Sequence, residues 1–195
     1  MFDRRGHIRN LSNMISKERN ADEHSDEDKF SKAGAKAEEQ MAFYLRRVFV
    51  DSDDIRVFND LRLTDDSGDA AQMDHLILHR YGFIVVESKS VSSELLVNQQ
   101  REFSRLWNKR WEGMRSPIQQ AKAQMDLLRR ILNQNAKNLL TKMLGLVQAR
   151  FGNCPMEVIV AISDHGQIDR PRNVDIPELV KADQVVDRVR EIYKR

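Results

Sequence analysis

The sequence predicts a mixed α/β domain in which helices flank a central β-sheet. Its 195 residues, 41% of them hydrophobic, suit one domain with a buried core. Apolar residues recur at helical spacing in several stretches, and runs rich in β-branched residues lie between them, bounded by turn residues. The predicted order is one helix, three strands followed by short ones, two helices, one strand and one helix, which indicates an α/β domain.

The domain is predicted to begin after a polar tail. Residues 1–33 carry seven basic and seven acidic residues and few large apolar ones. We therefore expect a flexible tail there, helical at most around residues 8–15. The domain itself is predicted over residues 34–195. Its first element is a helix over residues 36–50, because apolar residues recur there at helical spacing.

Three strands are predicted next, over residues 55–63, 72–79 and 83–89. Each run is rich in β-branched and other apolar residues. Aspartate, serine and glycine at residues 65–69 predict a turn between the first two strands. Arg80-Tyr81-Gly82 predicts a hairpin between the second and third.

The second half of the domain is predicted to contain two short strands, two helices, a buried strand, a loop and a closing helix. Ser116 as N-cap and Pro117 as first helical residue mark the start of the first of these helices. The predicted ranges are 95–98 and 103–111 for the short strands, 117–132 and 136–149 for the helices, 156–163 for the buried strand, 166–177 for the loop and 183–194 for the closing helix.

The composition excludes several classes of protein. No stretch approaches eighteen apolar residues, so we expect no transmembrane helix and no membrane partner. No apolar secretory segment follows the start, so we expect a cytoplasmic protein. Cys154 is the only cysteine, which excludes an internal disulfide and a multi-cysteine zinc site.

Charge is segregated along the chain. Residues 51–80 hold eight acidic and three basic residues, and residues 101–150 hold eleven basic and three acidic residues. This separation suits an acidic pocket beside a surface that binds a polyanion. An acidic loop and a solvated helix face explain the same pattern, so both interpretations stay open.

Two predicted strands carry charged residues where hydrophobic residues are expected. Asp74 has apolar neighbours, and Glu87 and Lys89 share one face of the third strand because side chains alternate. A two-residue loop at Tyr81-Gly82 places Asp74 opposite Lys89, and a four-residue loop places it opposite Glu87. Either even-length loop puts the three side chains on one face, whereas an unbulged three-residue loop puts Asp74 on the other.

Neighbouring carboxylates point to a cation. They repel each other unless a proton or a cation lies between them, and hard oxygen ligands suit Mg²⁺ or Mn²⁺. A nearby lysine can act on the attacking water or stabilise charge on phosphorus. A cross-strand salt bridge between Asp74 and Lys89 is the structural alternative. His75 and His79 lie on the opposite strand face and are expected to pack rather than to bind a metal.

Three stretches of the chain carry the motifs of a known family. They are Gly34-Ala35-Lys36-Ala37-Glu38, then Gln72-Met73-Asp74-His75 with Gly82-Phe83-Ile84-Val85-Val86-Glu87-Ser88-Lys89, and Ser116-Pro117-Ile118-Gln119-Gln120. In these stretches the chain resembles a nuclease-related domain (NERD), a branch of the PD-(D/E)xK nuclease superfamily. Ser116 stands where that family's helix opening has asparagine. The resemblance extends from about Gly34 to the strand predicted over residues 156–163.

The resemblance implies a restriction-endonuclease-like core and a metal-dependent phosphodiesterase site. Asp74 and Glu87 would hold Mg²⁺ or Mn²⁺, and Lys89 would assist the water or the transition state. Glu38 and Gln120 would support the site. The implied substrate is nucleic acid, with DNA expected.

Helical spacing bears on the two supporting residues. Glu38 lies on the flank of its helix's apolar stripe, whereas Glu39 points to the solvated side. Glu38 therefore can reach the sheet edge, although a first-turn carboxylate favoured by the helix dipole is the alternative. Gln120 either orients a water or phosphate or is an ordinary exposed residue of the first helical turn.

A basic segment is predicted to contact nucleic acid. Its residues are Arg101, Arg105, Lys109, Arg110 and Arg115. Phe103, Trp107 and Trp111 recur among them at a spacing of four, so on a single strand they would share a face. Core packing is the first interpretation of these aromatic residues, and base stacking is the second.

Together these patterns favour Mg²⁺- or Mn²⁺-dependent hydrolysis of nucleic acid. The first alternative is a non-catalytic nucleic-acid-binding or adaptor module that keeps the nuclease fold. The second is a structural protein in which Asp74 and Lys89 form a salt bridge. The oligomeric state is left open.

Overall fold

The computed structural model describes residues 21–136 and 151–194. In chain order the elements are α1 (Ala21–Phe49), β1 (Ile55–Thr64), β2 (Ala70–His79), β3 (Gly82–Lys89), β4 (Glu94–Val97), β5 (Phe103–Trp107), β6 (Arg110–Met114), α2 (Pro117–Gln134), β7 (Met156–Ile162), β8 (Gln167–Asp169), β9 (Leu179–Lys181) and α3 (Val185–Tyr193). Short 3₁₀ turns precede β7 and α3. Within these residues, no helix is long and apolar enough to cross a membrane.

A five-stranded mixed sheet forms the centre of the domain. Its strand order is β1-β2-β3-β7-β9, antiparallel from β1 to β3 and parallel from β3 to β9. A second sheet of four strands has the order β6-β5-β4-β8. The predicted central mixed sheet flanked by helices is therefore confirmed. The second sheet was not predicted as a unit, because its strands are too short to show a clear alternation.

Helices cover both faces of the central sheet. Ile118 and Leu128 of α2 belong to one apolar cluster with Leu76 and Val85 of β2 and β3. A second cluster joins α1 and α3 to the opposite face; it includes Met41, Leu45, Ile77, Ile84, Val185 and Val189. Burial of these apolar faces is the main force that fixes the layers.

Helix α1 begins earlier than predicted, at Ala21 instead of residue 36. The prediction followed the apolar stripe, which the segment before residue 36 lacks. Acidic residues are frequent near the start of this helix in the sequence, where the helix dipole favours them. The predicted helical stretch at residues 8–15 and, apart from residue 136, the helix predicted over residues 136–149 lie outside the described residues.

The single strand predicted over residues 103–111 is wrong. The structure has a hairpin of β5 and β6, whose turn residues Asn108 and Lys109 have φ of 47° and 63°. Two positive φ values suit a two-residue hairpin turn, but Asn-Lys lacks the glycine that usually signals one. Trp107 pairs with Arg110, so Trp107 and Trp111 project to opposite faces instead of sharing one.

The closing part of the chain contains two strands that were predicted as loop or not at all. β8 lies within the predicted loop, and β9 precedes α3. Each has three residues, too few for a periodic pattern. The closing helix begins at Val185, because residues 182–184 form a 3₁₀ turn instead of its first turn.

The hairpin between β2 and β3 settles the predicted register. His79 pairs with Gly82, so the loop has two residues, Arg80 and Tyr81. Extended by one residue, this register places Asp74 opposite Glu87. That is the alignment expected for a four-residue loop, but here a two-residue loop produces it. Gly82 sits where β3 meets β7. A Cβ at this position would overlap the carbonyl oxygen of Pro155.

We expect Gly82→Ala to destabilise the domain. The added methyl group must displace the Pro155 backbone, and overpacking of this kind costs about 1–3 kcal/mol. In a domain of this size that lowers the melting temperature by about 2–4 °C per kcal/mol. The matched control is Gly113→Ala, because a Cβ on Gly113 of β6 meets no atom within 4 Å. Equal melting temperatures for the two variants would contradict the tight contact.

Candidate active site

Asp74 lies where the ladder between β2 and β3 ends. The last backbone pair joins His75 to Val86. Asp74 is the residue before His75, and its Oδ2 accepts a hydrogen bond of 2.7 Å from the backbone N–H of Ser88, two residues beyond Val86. A side-chain oxygen thus takes the place of a backbone acceptor, which fixes the Asp74 carboxylate against the end of β3.

Glu87 is a buried carboxylate held from two directions. It is only 1% exposed. Lys89 Nζ donates to its Oε1 at 2.6 Å, and Gln124 Nε2 of α2 donates to its Oε2 at 2.9 Å. Lys89 Nζ also donates to Gln120 Oε1 at 3.2 Å. These charge-assisted hydrogen bonds compensate for the loss of water around the Glu87 carboxylate.

The five predicted site residues line one open pocket. Its volume is about 380 Å³. The lining residues are Gly34, Glu38, Gln72, Asp74, Glu87, Ser88, Lys89, Ser90 and Gln120. Strands β2 and β3 form the floor of the pocket, α1 brings Glu38, and α2 brings Gln120. The structure therefore brings together all the residues that the family motifs singled out, although their catalytic roles remain predictions.

The charges in this pocket favour a bound proton or cation. Burial, together with the charge of Glu87, raises the pKa of Asp74 to about 7, against the opposing effects of the Ser88 N–H and Lys89. The pKa of Glu38 is also raised, by burial and then by the charges of Asp60 and Glu87. Three carboxylates against one ammonium leave excess negative charge.

Gln124 is the site residue that sequence reasoning missed. It is 5% exposed, and its Nε2 donates to both Glu87 Oε2 and the Gln72 backbone oxygen, each at 2.9 Å. Two acceptors on one side fix the orientation of the amide. Its spacing of four from Gln120 places both amides on one face of α2. A polar residue beside the apolar stripe of this helix was the sequence signal that could have identified Gln124.

His75 supports β3 from the opposite face of the sheet. It is 1% exposed, with Nδ1 2.8 Å from Asn59 Oδ1 and Nε2 3.3 Å from Ser88 Oγ. Burial lowers its pKa to about 4, so the ring is neutral at neutral pH. His79 is also buried. The expectation that both histidines pack within the fold is confirmed.

The donors in the pocket fit a hard divalent cation. Among residues 21–136 and 151–194, no group of three or more His, Cys, Asp or Glu side chains is arranged as a metal cluster. Two oxygen ligands, from Asp74 and Glu87, are nevertheless the set that Mg²⁺ commonly takes from a protein, with water and substrate phosphate completing its shell. The chemistry of the donors therefore agrees with the predicted metal.

The predicted nucleic-acid residues divide into two groups. Arg101 bonds to Glu178 at 3.0 Å, and Arg105 pairs with Glu112 at 3.4 Å and lies over the Trp107 ring. These two arginines have structural partners. The other three, Lys109, Arg110 and Arg115, are exposed at the β5–β6 hairpin or directly after it. Part of the basic segment, residues 137–150, lies outside the described residues.

We expect Asp74→Asn to stabilise the metal-free protein above pH 4. Because the folded pKa of about 7 exceeds the ordinary 3.8, the native state binds more protons than the unfolded state between these values. The free energy of unfolding of the wild type therefore falls as pH rises through this window. Asparagine keeps an acceptor for the Ser88 N–H and carries no charge, so the variant does not lose this stability. The gain should reach about 1–3 kcal/mol by pH 8 in urea unfolding with EDTA.

Asp65→Asn provides a control of opposite sign. The Ser67 hydroxyl, backbone N–H groups and Arg130 hold the pKa of Asp65 below its ordinary value. Replacement of this carboxylate should therefore destabilise the protein at neutral pH, and the difference should shrink as the pH falls. A gain for Asp74→Asn that is independent of pH would contradict the raised pKa of Asp74 in the folded state.

The comparison with protein families agrees with this geometry. The model of the nuclease-related domain, NERD, matches residues 33–163. This range holds every residue of the pocket and covers well over half of the chain. Comparison with curated proteins and with solved structures gives no match. The motifs, the pocket and the extent of the match agree, and the chain belongs to the nuclease-related domain family.

Proposed function

We propose that this domain hydrolyses nucleic-acid phosphodiester bonds, with DNA as substrate and Mg²⁺ or Mn²⁺ as cofactor. The observation that carries the proposal is the pocket itself. Asp74 and Glu87 lie on neighbouring strands with Lys89 bonded to Glu87 and Glu38 nearby. In a chain of a nuclease-related family, this set of side chains suits phosphoryl chemistry.

Asp74 and Glu87 would hold the cation. When bound, the cation polarises the phosphate and lowers the pKa of a water molecule. The chain's own contribution is orientation: the Ser88 N–H fixes Asp74, and the Gln124 amide fixes Glu87. Both carboxylates thus keep one defined position, which metal sites require of their ligands.

Lys89, Gln120 and Glu38 have other tasks. An ammonium group cannot ligate a cation, so Lys89 donates to a phosphate oxygen or to the attacking water. Gln120 accepts from Lys89 and thereby keeps the ammonium at the pocket. Glu38, whose pKa is raised, comes from a separate helix and positions the ion or the water.

A non-catalytic nucleic-acid-binding or adaptor module is the second candidate. The 2.6 Å ion pair between Lys89 and Glu87 favours it, because this contact satisfies the buried carboxylate without a metal. A catalytic site must loosen this contact when the cation binds. Metal binding and cleavage therefore separate the two candidates.

We expect Lys89→Met to abolish cleavage while Mn²⁺ binding persists, and Asp74→Asn to abolish both. The reason is the division of work between metal ligands and a cation that acts on the phosphate. The loss of rate for either variant should exceed about 100-fold. Glu38→Gln should give a smaller loss, because Glu38 is at most an outer participant. Isothermal calorimetry with Mn²⁺ and cleavage of linear, nicked, single-stranded and branched DNA measure the two properties.

Arg190→Gln, an exposed substitution on α3, is the control for these measurements. Wild-type cleavage by Asp74→Asn would place the activity outside this pocket. Absence of wild-type cleavage with Mg²⁺ and Mn²⁺ on every DNA form, with DNA binding retained, would favour the adaptor module.

We also propose that DNA contacts the β5–β6 hairpin. Lys109 and Arg110 at its turn and Arg115 after β6 are exposed cations. Trp111 is 49% exposed on the edge strand, which suits stacking against a base. The chain passes directly from β6 into α2, which contributes Gln120 to the pocket, so the hairpin is joined to one wall of the pocket.

Tryptophan fluorescence should report DNA binding directly. The chain has two tryptophans, and both belong to this hairpin. With EDTA present, DNA should quench the emission, and the affinity should fall steeply with salt. Arg110→Gln should weaken binding and reduce the slope against log salt by about 1. The matched control is Arg190→Gln on α3. An unquenched signal at saturating DNA would exclude the hairpin from the interface.

A further inference from the structure

A second space opens beside the carboxylate pocket, between the start of β2 and helix α2. Its volume is about 600 Å³. Gln72 and Gln120 line both this groove and the pocket. The two spaces therefore adjoin, and a polymer whose phosphate lies in the pocket would extend toward the groove.

Small side chains form the walls of the groove. Ala70 and Ala71 line it from β2, and Ala123 lines it from α2. Such walls allow a flat group to approach both elements closely. At the junction with the pocket, Gln72 Nε2 donates to Asp60 and Gln120 Oε1 accepts from Lys89. The Gln72 side-chain oxygen and the Gln120 amino group then offer an acceptor and a donor of the kind that read the edge of a nucleobase.

An ion-pair cluster holds the far end of the groove open. Arg130 of α2 donates to Asp65 Oδ2 at 3.2 Å and to Asp69 Oδ2 at 2.9 Å. The Asp65 carboxylate also accepts from the Ser67 hydroxyl at 2.6 Å. The turn between β1 and β2 is thereby fixed to α2. The groove exists before any ligand binds, which lowers the cost of binding.

We propose that this groove binds one unpaired nucleotide next to the bond that the pocket would cleave. The inference rests on the proposed function and specifies its substrate as nucleic acid with a single-stranded end, overhang or flap. The volume lies within the about 300–1,000 Å³ of small-molecule sites, which suits a nucleotide. A base inside a duplex uses its hydrogen-bonding edge to pair with its complement, so the amides of Gln72 and Gln120 favour an unpaired base.

The test fills the groove without touching the carboxylates. Ala123 is exposed, so Ala123→Leu adds bulk with little risk to folding. Ala70→Leu fills the groove from the opposite wall. Gln119→Leu, on the same helix and outside the groove lining, is the control. Fluorescence anisotropy in EDTA compares a short labelled oligothymidylate with a blunt-ended duplex of two separate strands.

We expect the wild type to bind the single strand more tightly than the duplex. Ala123→Leu and Ala70→Leu should weaken single-strand binding about tenfold, equivalent to about 1.4 kcal/mol, and leave duplex binding unchanged. Gln119→Leu should match the wild type. Wild-type affinity in both filled variants, or equal losses on the two DNA forms, would overturn the groove.

The same variants distinguish failure of the groove from failure of catalysis. Groove-dependent binding without cleavage by the wild type in Mg²⁺ or Mn²⁺ would support the groove and reject the nuclease. Cleavage of single strands by Ala123→Leu at the wild-type rate and KM would support the nuclease and reject the groove. A wild type that binds neither DNA form in EDTA and cleaves neither in Mg²⁺ or Mn²⁺ would reject both.

Discussion

The burial of the Glu87 carboxylate is the constraint on which the rest of the site depends. At 1% exposure, this carboxylate is stable only if protein groups replace water around it. Lys89 does so from the same strand, and Gln124 does so from α2. The position of helix α2 along β3 is therefore fixed, with Gln120 and Gln124 directed toward the sheet. That placement also sets Gln120 beside Lys89 and positions the wall of the neighbouring groove.

Much of the fold and most of the pocket could be predicted from the sequence because both rest on periodic patterns. Strand alternation put Glu87 and Lys89 on one face, and the even loop length brought Asp74 to the same side. The register itself could not be chosen, because either alignment obeys the alternation. Gln124 escaped prediction because its role depends on a bond to another element. The β5–β6 hairpin escaped it because Asn108-Lys109 adopts its conformation without glycine.

The two sheets divide the work of the domain. The central sheet carries Asp74 and Glu87 and packs against α1, α2 and α3. The second sheet supports a hairpin whose turn is basic and whose edge strand exposes Trp111. Arg101 and Arg105 show how a basic segment serves two purposes. These two hold the fold through Glu178 and Glu112, while the exposed residues further along remain available to a polyanion.

The hydrogen bond from Ser88 to Asp74 has a consequence for the history of such domains. Beyond this bond β3 continues beside β7 alone, so the sheet forks at Asp74. The fork needs an acceptor at this position whether or not the domain is an enzyme. In a descendant without phosphoryl chemistry, asparagine could replace Asp74 and still accept the Ser88 hydrogen bond. Alanine would leave the Ser88 N–H without this acceptor. In the proposed nuclease, selection for architecture and selection for chemistry would act on the same side chain, and only its charge would distinguish them.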